Sequence, residues 1–304
     1  MSHKEEIIPK IEKLKIAALA AKGERIDGRK LDEFRPVVVE TGLIQKAEGS
    51  ALVRLGNTVA LAGVKAEIGT PFPDTPNEGV LIVNAEFLPL ASPTFEPGPP
   101  DENAIEIARV VDRGIRSAKA VDLEKLAIVP GKRVWVLYID VYVLNHDGNM
   151  MDAAGLAAIA ALLTAKIPKV KVKGEEIEIL DEWVPLPVVD RPVPVTIAKL
   201  GNSLIVDPCL EEEQVMDSRI TITVNEQGNI CALQKGFGEF TLDEIKHALK
   251  LAVKMAAELR KALPPPPSLE GVEWVIKEEA EAAQQQAAEA SEKINKKEAE
   301  AKEA

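Results

Sequence analysis

Hydrophobic and polar positions along the chain alternate between two-residue and 3.6-residue spacing, which predicts both strands and helices. Residues 51–55 and 58–69 are rich in valine, leucine and alanine, and the Gly-Asn pair between them is typical of a hairpin turn. Residues 133–145 are apolar on both alternating sets except at Asp140, which favours a strand covered on both faces. We therefore expect a sheet with residues 133–145 near its centre.

Helical spacing appears in three further segments. Residues 1–22 are amphipathic up to Gly23, and residues 101–119 carry one apolar stripe. Thr241 with Glu244 predicts a capping box at the start of a third helix, which four consecutive prolines end after residue 263.

A fourth helix is predicted after Asp152, which is placed to cap it. Its sequence, residues 153–165, is almost free of polar side chains on every face. This length is well short of the roughly 20 residues that a membrane-spanning helix needs. We therefore expect a helix buried in the protein core.

The composition divides the chain into four parts. A proline-rich connection, residues 184–195, separates two stretches that each place strands before a helix. The expected parts are an N-terminal amphipathic helix (1–22), a first β-α domain (23–192), a second β-α domain (193–267) and an Ala/Glu/Lys-rich tail, partly helical or disordered (268–304).

Charge and cysteine content narrow the class of protein. The 37 basic and 49 acidic residues give a net charge of −12, which argues against a protein that coats duplex nucleic acid or an anionic membrane. The chain has two cysteines and three scattered histidines, which match no metal-ligand spacing. The charged start contains no secretory signal, so we expect a cytoplasmic protein in a reducing compartment.

Three segments carry a resemblance to a known family. They are RIDGRKLDEF and its continuation to residue 68, the NHDG-to-helix junction at 145–165, and LIVDPCLEEEQVMDSRITITVN within 204–236. Together they resemble the RNase PH family of phosphorolytic exoribonucleases from about Gly23 to Leu263. The stretch PDENAIEIARVVDRGIR at 100–116 most resembles the non-catalytic RNase PH-type ring subunits of the archaeal exosome.

This resemblance implies an α+β, RNase PH-type fold of two β-α units with layered sheets and helices. It also implies a hexameric ring in which the chain alternates with a catalytic RNase PH-type subunit. The ring would carry RNA-binding cap subunits and degrade single-stranded RNA from its 3′ end. Inorganic phosphate and Mg²⁺ would act at the catalytic partner's site. We expect no cofactor, metal or membrane to be bound by this chain.

Active members of the family place a Gly-Gly-Ser/Thr-Arg type turn at the start of the buried helix, where backbone N–H groups and an arginine bind phosphate. The matching positions here are Gly148, Asn149, Met150 and Met151. They lack the hydroxyl and the arginine, and the flanking Asp147 and Asp152 would repel phosphate. We interpret these four residues as a degenerate phosphate loop that caps the helix.

Two further features of active members are altered. Their pair of aspartates six residues apart corresponds here to Glu213 and Arg219, a degenerate acidic pair in which a fixed cation replaces one carboxylate. Their adjacent arginines correspond to Glu102 and Asn103. We therefore expect no catalytic residues and no phosphorolysis by the chain alone, and a self-sufficient exoribonuclease with a rearranged site is the alternative.

The helix predicted over 101–119 carries a basic stripe. Arg109, Arg113 and Arg116 lie within about 60° of one another on a helical wheel. Glu106 and Asp112 are spaced to pair with Arg109 and Arg116, whereas Arg113 has no acid three or four residues away. We expect the stripe to bind the RNA backbone; the alternative is a purely structural scaffold whose arginines meet carboxylates of a partner subunit.

Overall fold

The strand predicted at 133–145 lies inside the largest sheet of the computed structural model, which describes residues 10–173 and 176–277. The first elements in chain order are α1 (Lys10–Ala21), β1 (Val37–Thr41), β2 (Gly49–Leu55), β3 (Thr58–Gly69), β4 (Val80–Phe87), α2 (Glu102–Ser117), β5 (Ala127–Val129), β6 (Arg133–Asn145), α3 (Met150–Thr164), β7 (Lys166–Lys173) and β8 (Glu176–Pro185). The remaining elements are β9 (Val193–Leu200), β10 (Ser203–Val206), α4 (Leu210–Val215), β11 (Ser218–Val224), β12 (Ile230–Lys235), α5 (Leu242–Leu259) and β13 (Val275–Lys277).

These strands form three sheets. The largest has the order β1-β2-β3-β6-β4, with β5 also paired to β6. The second has the order β10-β9-β11-β12, and the third has the order β13-β7-β8. The β2–β3 hairpin closes with Leu55 opposite Thr58, which confirms the predicted Gly-Asn turn. Strand β6 lies between β3 and β4, which confirms its predicted central place.

Helix α3 joins the two larger sheets into one core. Every residue from 151 to 163 is buried, as the apolar pattern predicts. The helix packs on β2 and β3 on one side and on β9 on the other. Gly155 permits this approach, because a Cβ there would lie 2.4 Å from Pro194 Cγ. The expected boundary near residue 192 therefore falls between two halves that share a hydrophobic core.

The cap of α3 differs from the prediction. Asn149, rather than Asp152, is the N-cap: its side chain accepts a hydrogen bond from the Asp152 N–H. The helix begins at Met150 because Gly148 and Asn149 both adopt positive φ and turn the chain earlier. By contrast, the predicted capping box of Thr241 with Glu244 is confirmed at the start of α5.

Part of the tail expected from residue 268 is folded. Residues 275–277 form β13, which pairs in parallel with β7. Trp274 is buried, and its Nε1–H donates to the Pro185 carbonyl over 2.9 Å. Trp274 and Val275 pack against the core, so this segment belongs to the fold. Residues 1–9 of the predicted first helix and residues 278–304 of the predicted tail lie outside the described residues. Across the described segments, the helices fall short of the length and apolarity needed to cross a bilayer.

Candidate functional site

The turn that precedes α3 is fixed by backbone packing. Gly148 has φ of 82°, and a Cβ at this position would lie 2.5 Å from the Cys209 carbonyl carbon and 2.6 Å from the Leu210 nitrogen. The Thr58 hydroxyl donates to the Gly148 carbonyl over 2.6 Å. The degenerate phosphate loop is therefore held tightly against the start of α4.

A carboxylate of the chain itself occupies the N-terminal end of α3. Glu213, on α4, accepts a hydrogen bond from the Asn149 N–H over 2.8 Å. Burial raises the pKa of Glu213, although the Asn149 N–H and the charge of Arg219 favour its ionised form. An anion at this end of a helix is stabilised by free N–H groups and the helix dipole. Glu213 supplies that anion from within the protein.

Two more carboxylates surround the turn. The Asn149 side-chain amide donates to both Asp152 Oδ2 and Asp207 Oδ1, each over 2.8 Å. Asp152 also accepts from the Thr196 N–H over 2.9 Å and from the Thr196 hydroxyl over 2.8 Å. Burial raises the pKa of Asp152 to about 7.

Asp207 is fully buried and is held by arginines of the N-terminal segment. Arg35 donates to it through Nε over 2.9 Å and Nη2 over 2.7 Å, and Arg29 Nη1 donates over 2.8 Å. Burial opposes the charge of Asp207, but the contacts with Arg35 hold its pKa below the usual range. Arg25 and Glu212 form a second buried ion pair beside it. These pairs join residues 25–35 to the start of α4.

This arrangement does not fit phosphate or a divalent cation. A phosphate at the start of α3 would meet Glu213, with Asp152 and Asp207 nearby, and Met150 and Met151 offer neither a hydroxyl nor a guanidinium. Within residues 10–173 and 176–277, no three His, Cys, Asp or Glu side chains lie together in a way that could hold a metal ion. The structure thus brings Gly148–Met151 and Glu213 together as a site already filled by the protein.

Arg219 lies between this site and α2. Its Nη2 donates to Glu106 Oε2 over 2.8 Å, and Glu106 Oε1 accepts from Gln234 Nε2 over 3.0 Å. The spacing that would allow Glu106 to pair with Arg109 is therefore not used. Side chains from β11 and β12, which sequence spacing within α2 does not reveal, reach Glu106 instead.

The three arginines of the predicted stripe are all exposed on α2 but differ in their contacts. Arg116 pairs with Asp112 over 2.7 Å, as predicted, and also donates to the Leu81 carbonyl over 3.0 Å. Arg113 donates to the neutral Gln234 side chain. Arg109 makes no hydrogen bond or ion pair with any residue that the structure describes. Two neighbouring cations therefore lack an acidic partner in the described chain.

Sequence reasoning missed the ion pairs of Arg25, Arg29 and Arg35. Their partners, Asp207 and Glu212, lie more than 170 positions further along the chain. The acidic run around Glu212 suggests solvated carboxylates, and the basic residues of 25–35 stand out in the sequence only as part of a motif. The only indication in the sequence is that residues 25–35 are rich in arginine and the segment around Glu212 is rich in acidic residues. Which arginine pairs with which carboxylate depends on the fold.

The fold and this site define a class of protein. Models of the 3′ exoribonuclease family match the chain with domain 1 at residues 33–168 and with domain 2 at residues 190–255. The chain therefore belongs to the 3′ exoribonuclease, or RNase PH, family, which confirms the resemblance seen in its sequence.

Individual relatives refine this placement. The chain is 59% identical over 261 residues to the exosome complex component Rrp42 of Thermococcus gammatolerans, covering 85% of this chain and 96% of that protein. It is 52% identical over 260 residues to the exosome complex component Rrp42 of Methanopyrus kandleri, covering 85% of this chain and 97% of that protein. A chain of the Archaeoglobus fulgidus exosome with RNA bound to the active site superposes with a TM-score of 0.78 at 48% identity, covering 84% and 99%. A chain of an archaeal exosome core gives a TM-score of 0.73 at 45% identity, covering 83% and 95%.

Proposed function

We propose that the chain is the non-catalytic RNase PH-type subunit of a cytoplasmic, phosphate-dependent 3′→5′ exoribonuclease, the archaeal exosome. It alternates with a catalytic RNase PH-type subunit in a hexameric ring that bears RNA-binding cap subunits. The relatives described as exosome components, and the match to chains of solved archaeal exosomes over more than four-fifths of this chain, support this assembly.

The main support for a non-catalytic role is the contact between Glu213 and the Asn149 N–H. Phosphorolysis needs an attacking phosphate, and the helix end that would bind it already accommodates a carboxylate. Arg219, at the position of the second family acid, is engaged with Glu106. Phosphate and Mg²⁺ therefore belong at the catalytic partner's site, and this chain binds neither.

This chain contributes to degradation by binding the RNA backbone. Arg109 and Arg113 present guanidinium groups without an acidic partner in the described residues, and Arg116 extends the same edge. Arginine forms charge-assisted hydrogen bonds with phosphate oxygens, and such contacts carry no base information. Binding should therefore tolerate any RNA sequence. A short basic stripe is sufficient in a chain of net charge −12, because the rest of the acidic surface remains outside the RNA path.

The test compares charge reversals within an intact ring. The chain carrying Arg109→Glu and Arg113→Glu is mixed with the catalytic subunit of a related archaeon, labelled single-stranded RNA and phosphate. We expect a ring of unchanged mass whose RNA affinity falls at least tenfold. The slope of log affinity against log salt concentration should decrease by about one for each arginine that contacts a phosphate. The matched control reverses Lys246 and Lys261, two exposed charges on and just after α5, and should behave as the native ring.

The same experiment separates the alternatives. An intact ring that binds and degrades RNA normally despite both reversals would favour the structural scaffold. Nucleoside diphosphates released by the chain in the absence of its partner would favour the self-sufficient exoribonuclease.

A further inference from the structure

Three stacked rings lie outside the contacts that the proposed function uses. Phe87 at the end of β4 stacks on Phe95 with ring centroids 4.8 Å apart and an interplanar angle of 27°. Phe95 stacks in turn on His146 at 5.5 Å and 22°. All three side chains are partly exposed. We call Phe87, Phe95 and His146 the aromatic column.

The loop that carries the middle ring is held in place. The His146 N–H donates to the Ala91 carbonyl over 3.1 Å, and the Leu88 N–H donates to the Val143 carbonyl over 3.4 Å. Five of the twelve residues in 89–100 are prolines, whose rings fix φ and remove conformational freedom. Phe95 is therefore positioned before any ligand arrives.

His146 also lines an open cleft, so the column ends where a ligand has room. The cleft has a volume of about 480 Å³, within the usual range for small-molecule sites. Its polar lining consists of Arg54, Asn57, Asn145, His146 and Asp147.

The cleft offers hydrogen-bond acceptors and a cation. His146 Nδ1 accepts from the Gly148 N–H over 3.4 Å, which orients its ring. The amide nitrogens of Asn57 and Asn145 donate to Asp147 and to the Asn57 carbonyl, which leaves both side-chain oxygens as acceptors. Arg54 Nε lies 3.6 Å from Glu40 Oε1. This exposed ion pair is weak, so a phosphate can replace Glu40 as the partner of Arg54.

We propose that one base of single-stranded RNA stacks on His146 in this cleft, with its phosphate toward Arg54. Proteins recognise unpaired nucleotides with an aromatic ring that stacks on the base and with hydrogen-bonding and cationic groups beside it. The inference rests on the proposed RNA-binding role.

The test measures base-dependent binding by the full-length chain alone, without phosphate. Fluorescence anisotropy compares labelled oligo(A) with an abasic oligomer of equal length. His146→Ala should weaken oligo(A) binding at least fivefold, the lower end of base–aromatic stacking, and leave abasic binding unchanged. His146→Phe, which keeps a ring, should stay within about twofold of the native affinity. Phe72→Ala, at an exposed aromatic residue outside the column, is the control and should change neither affinity.

Equal losses for both probes, or no loss for oligo(A), would overturn the proposal. If the alanine variant does not fold, His146→Gln replaces it, because it keeps an acceptor for Gly148 but has no ring. Failure of the proposed function gives a different result: Arg109→Glu with Arg113→Glu would then leave both probes bound as before, whatever His146 does.

Discussion

Gly148 shows how a single position without a side chain determines the geometry of the site. Its positive φ and its contact with the backbone at Cys209 and Leu210 both exclude a Cβ. Gly148→Ala should reduce the free energy of unfolding by about 3 kcal/mol, since backbone strain and overpacking each cost on the order of 1–3 kcal/mol. Gly131→Ala is the matched control, because Gly131 has φ of 76° but nothing within 4 Å of the point where a Cβ would lie. Guanidinium denaturation of both variants measures the difference, and equal losses would contradict the packing argument.

Asp152 should make stability depend on pH. Burial raises its pKa from 3.8 to about 7, so the folded state holds the proton more tightly than the unfolded state. The free energy of unfolding therefore falls as the pH rises from about 4 to about 7, by up to about 4 kcal/mol. Asp152→Asn removes this titration and should make that slope less steep, as measured by guanidinium denaturation at a series of pH values. The raised pKa of Glu213 contributes to the slope that remains.

Asp207 provides an internal comparison for that experiment. Despite its burial, Arg35 holds the pKa of Asp207 below the usual range, so the stability that this carboxylate contributes is lost only as the pH falls below about 4. This loss in acid should persist in Asp152→Asn. An unchanged slope between pH 4 and pH 7 in the variant would show that Asp152 is already ionised in the folded protein.

At the residue scale, the sequence shows which positions differ from the family motif more readily than it shows which side chains are in contact. Comparison with the family motif points to Met151, Glu213 and Arg219 as altered positions, because each occupies a fixed place in a local pattern. Which groups replace the lost ligands is not local information. The contact of Glu213 with Asn149 spans 64 positions, and that of Arg219 with Glu106 spans 113.

At the scale of elements, β13 and the preceding Trp274 close one side of the core. Trp274→Ala removes a buried ring and its bond to Pro185, and should cost about 3–5 kcal/mol of unfolding free energy. Trp183→Ala, at a tryptophan on β8 that is 51% exposed, should cost much less. Chemical denaturation compares the two, and limited proteolysis should cut residues 268–277 faster in Trp274→Ala only. Similar behaviour of both variants would contradict the role of Trp274.

Elements with a strong local pattern are predicted well from the sequence. The β2–β3 hairpin, the central β6, the buried α3 and the capping box of α5 each follow from spacing and turn residues within one segment. Strand β13 is missed because three residues are too few to show periodicity and their partner β7 is about 100 positions away. The cap of α3 is misplaced because Met150 and Met151 resemble a loop until the positive φ of Asn149 is known.

At the scale of the molecule, a shared fold supports different roles. The chain matches both domains of the family and superposes on archaeal exosome subunits, yet the end of α3 is filled by Glu213. Composition alone excludes only broad classes, and the family resemblance supplies the fold and the ring. The proposed division of labour, in which this chain binds RNA and its partner binds phosphate, rests on the side chains at the site.

The most direct measurement is the release of nucleoside diphosphates from single-stranded RNA in the presence of inorganic phosphate. The full-length chain is assayed alone, and then after mixing with a catalytic RNase PH-type subunit. We predict no release by the chain alone at any concentration, and phosphate-dependent release by the mixture. Nucleoside diphosphate that forms without the second subunit, in proportion to the concentration of this chain, would contradict a subunit whose phosphate site is filled by its own carboxylate.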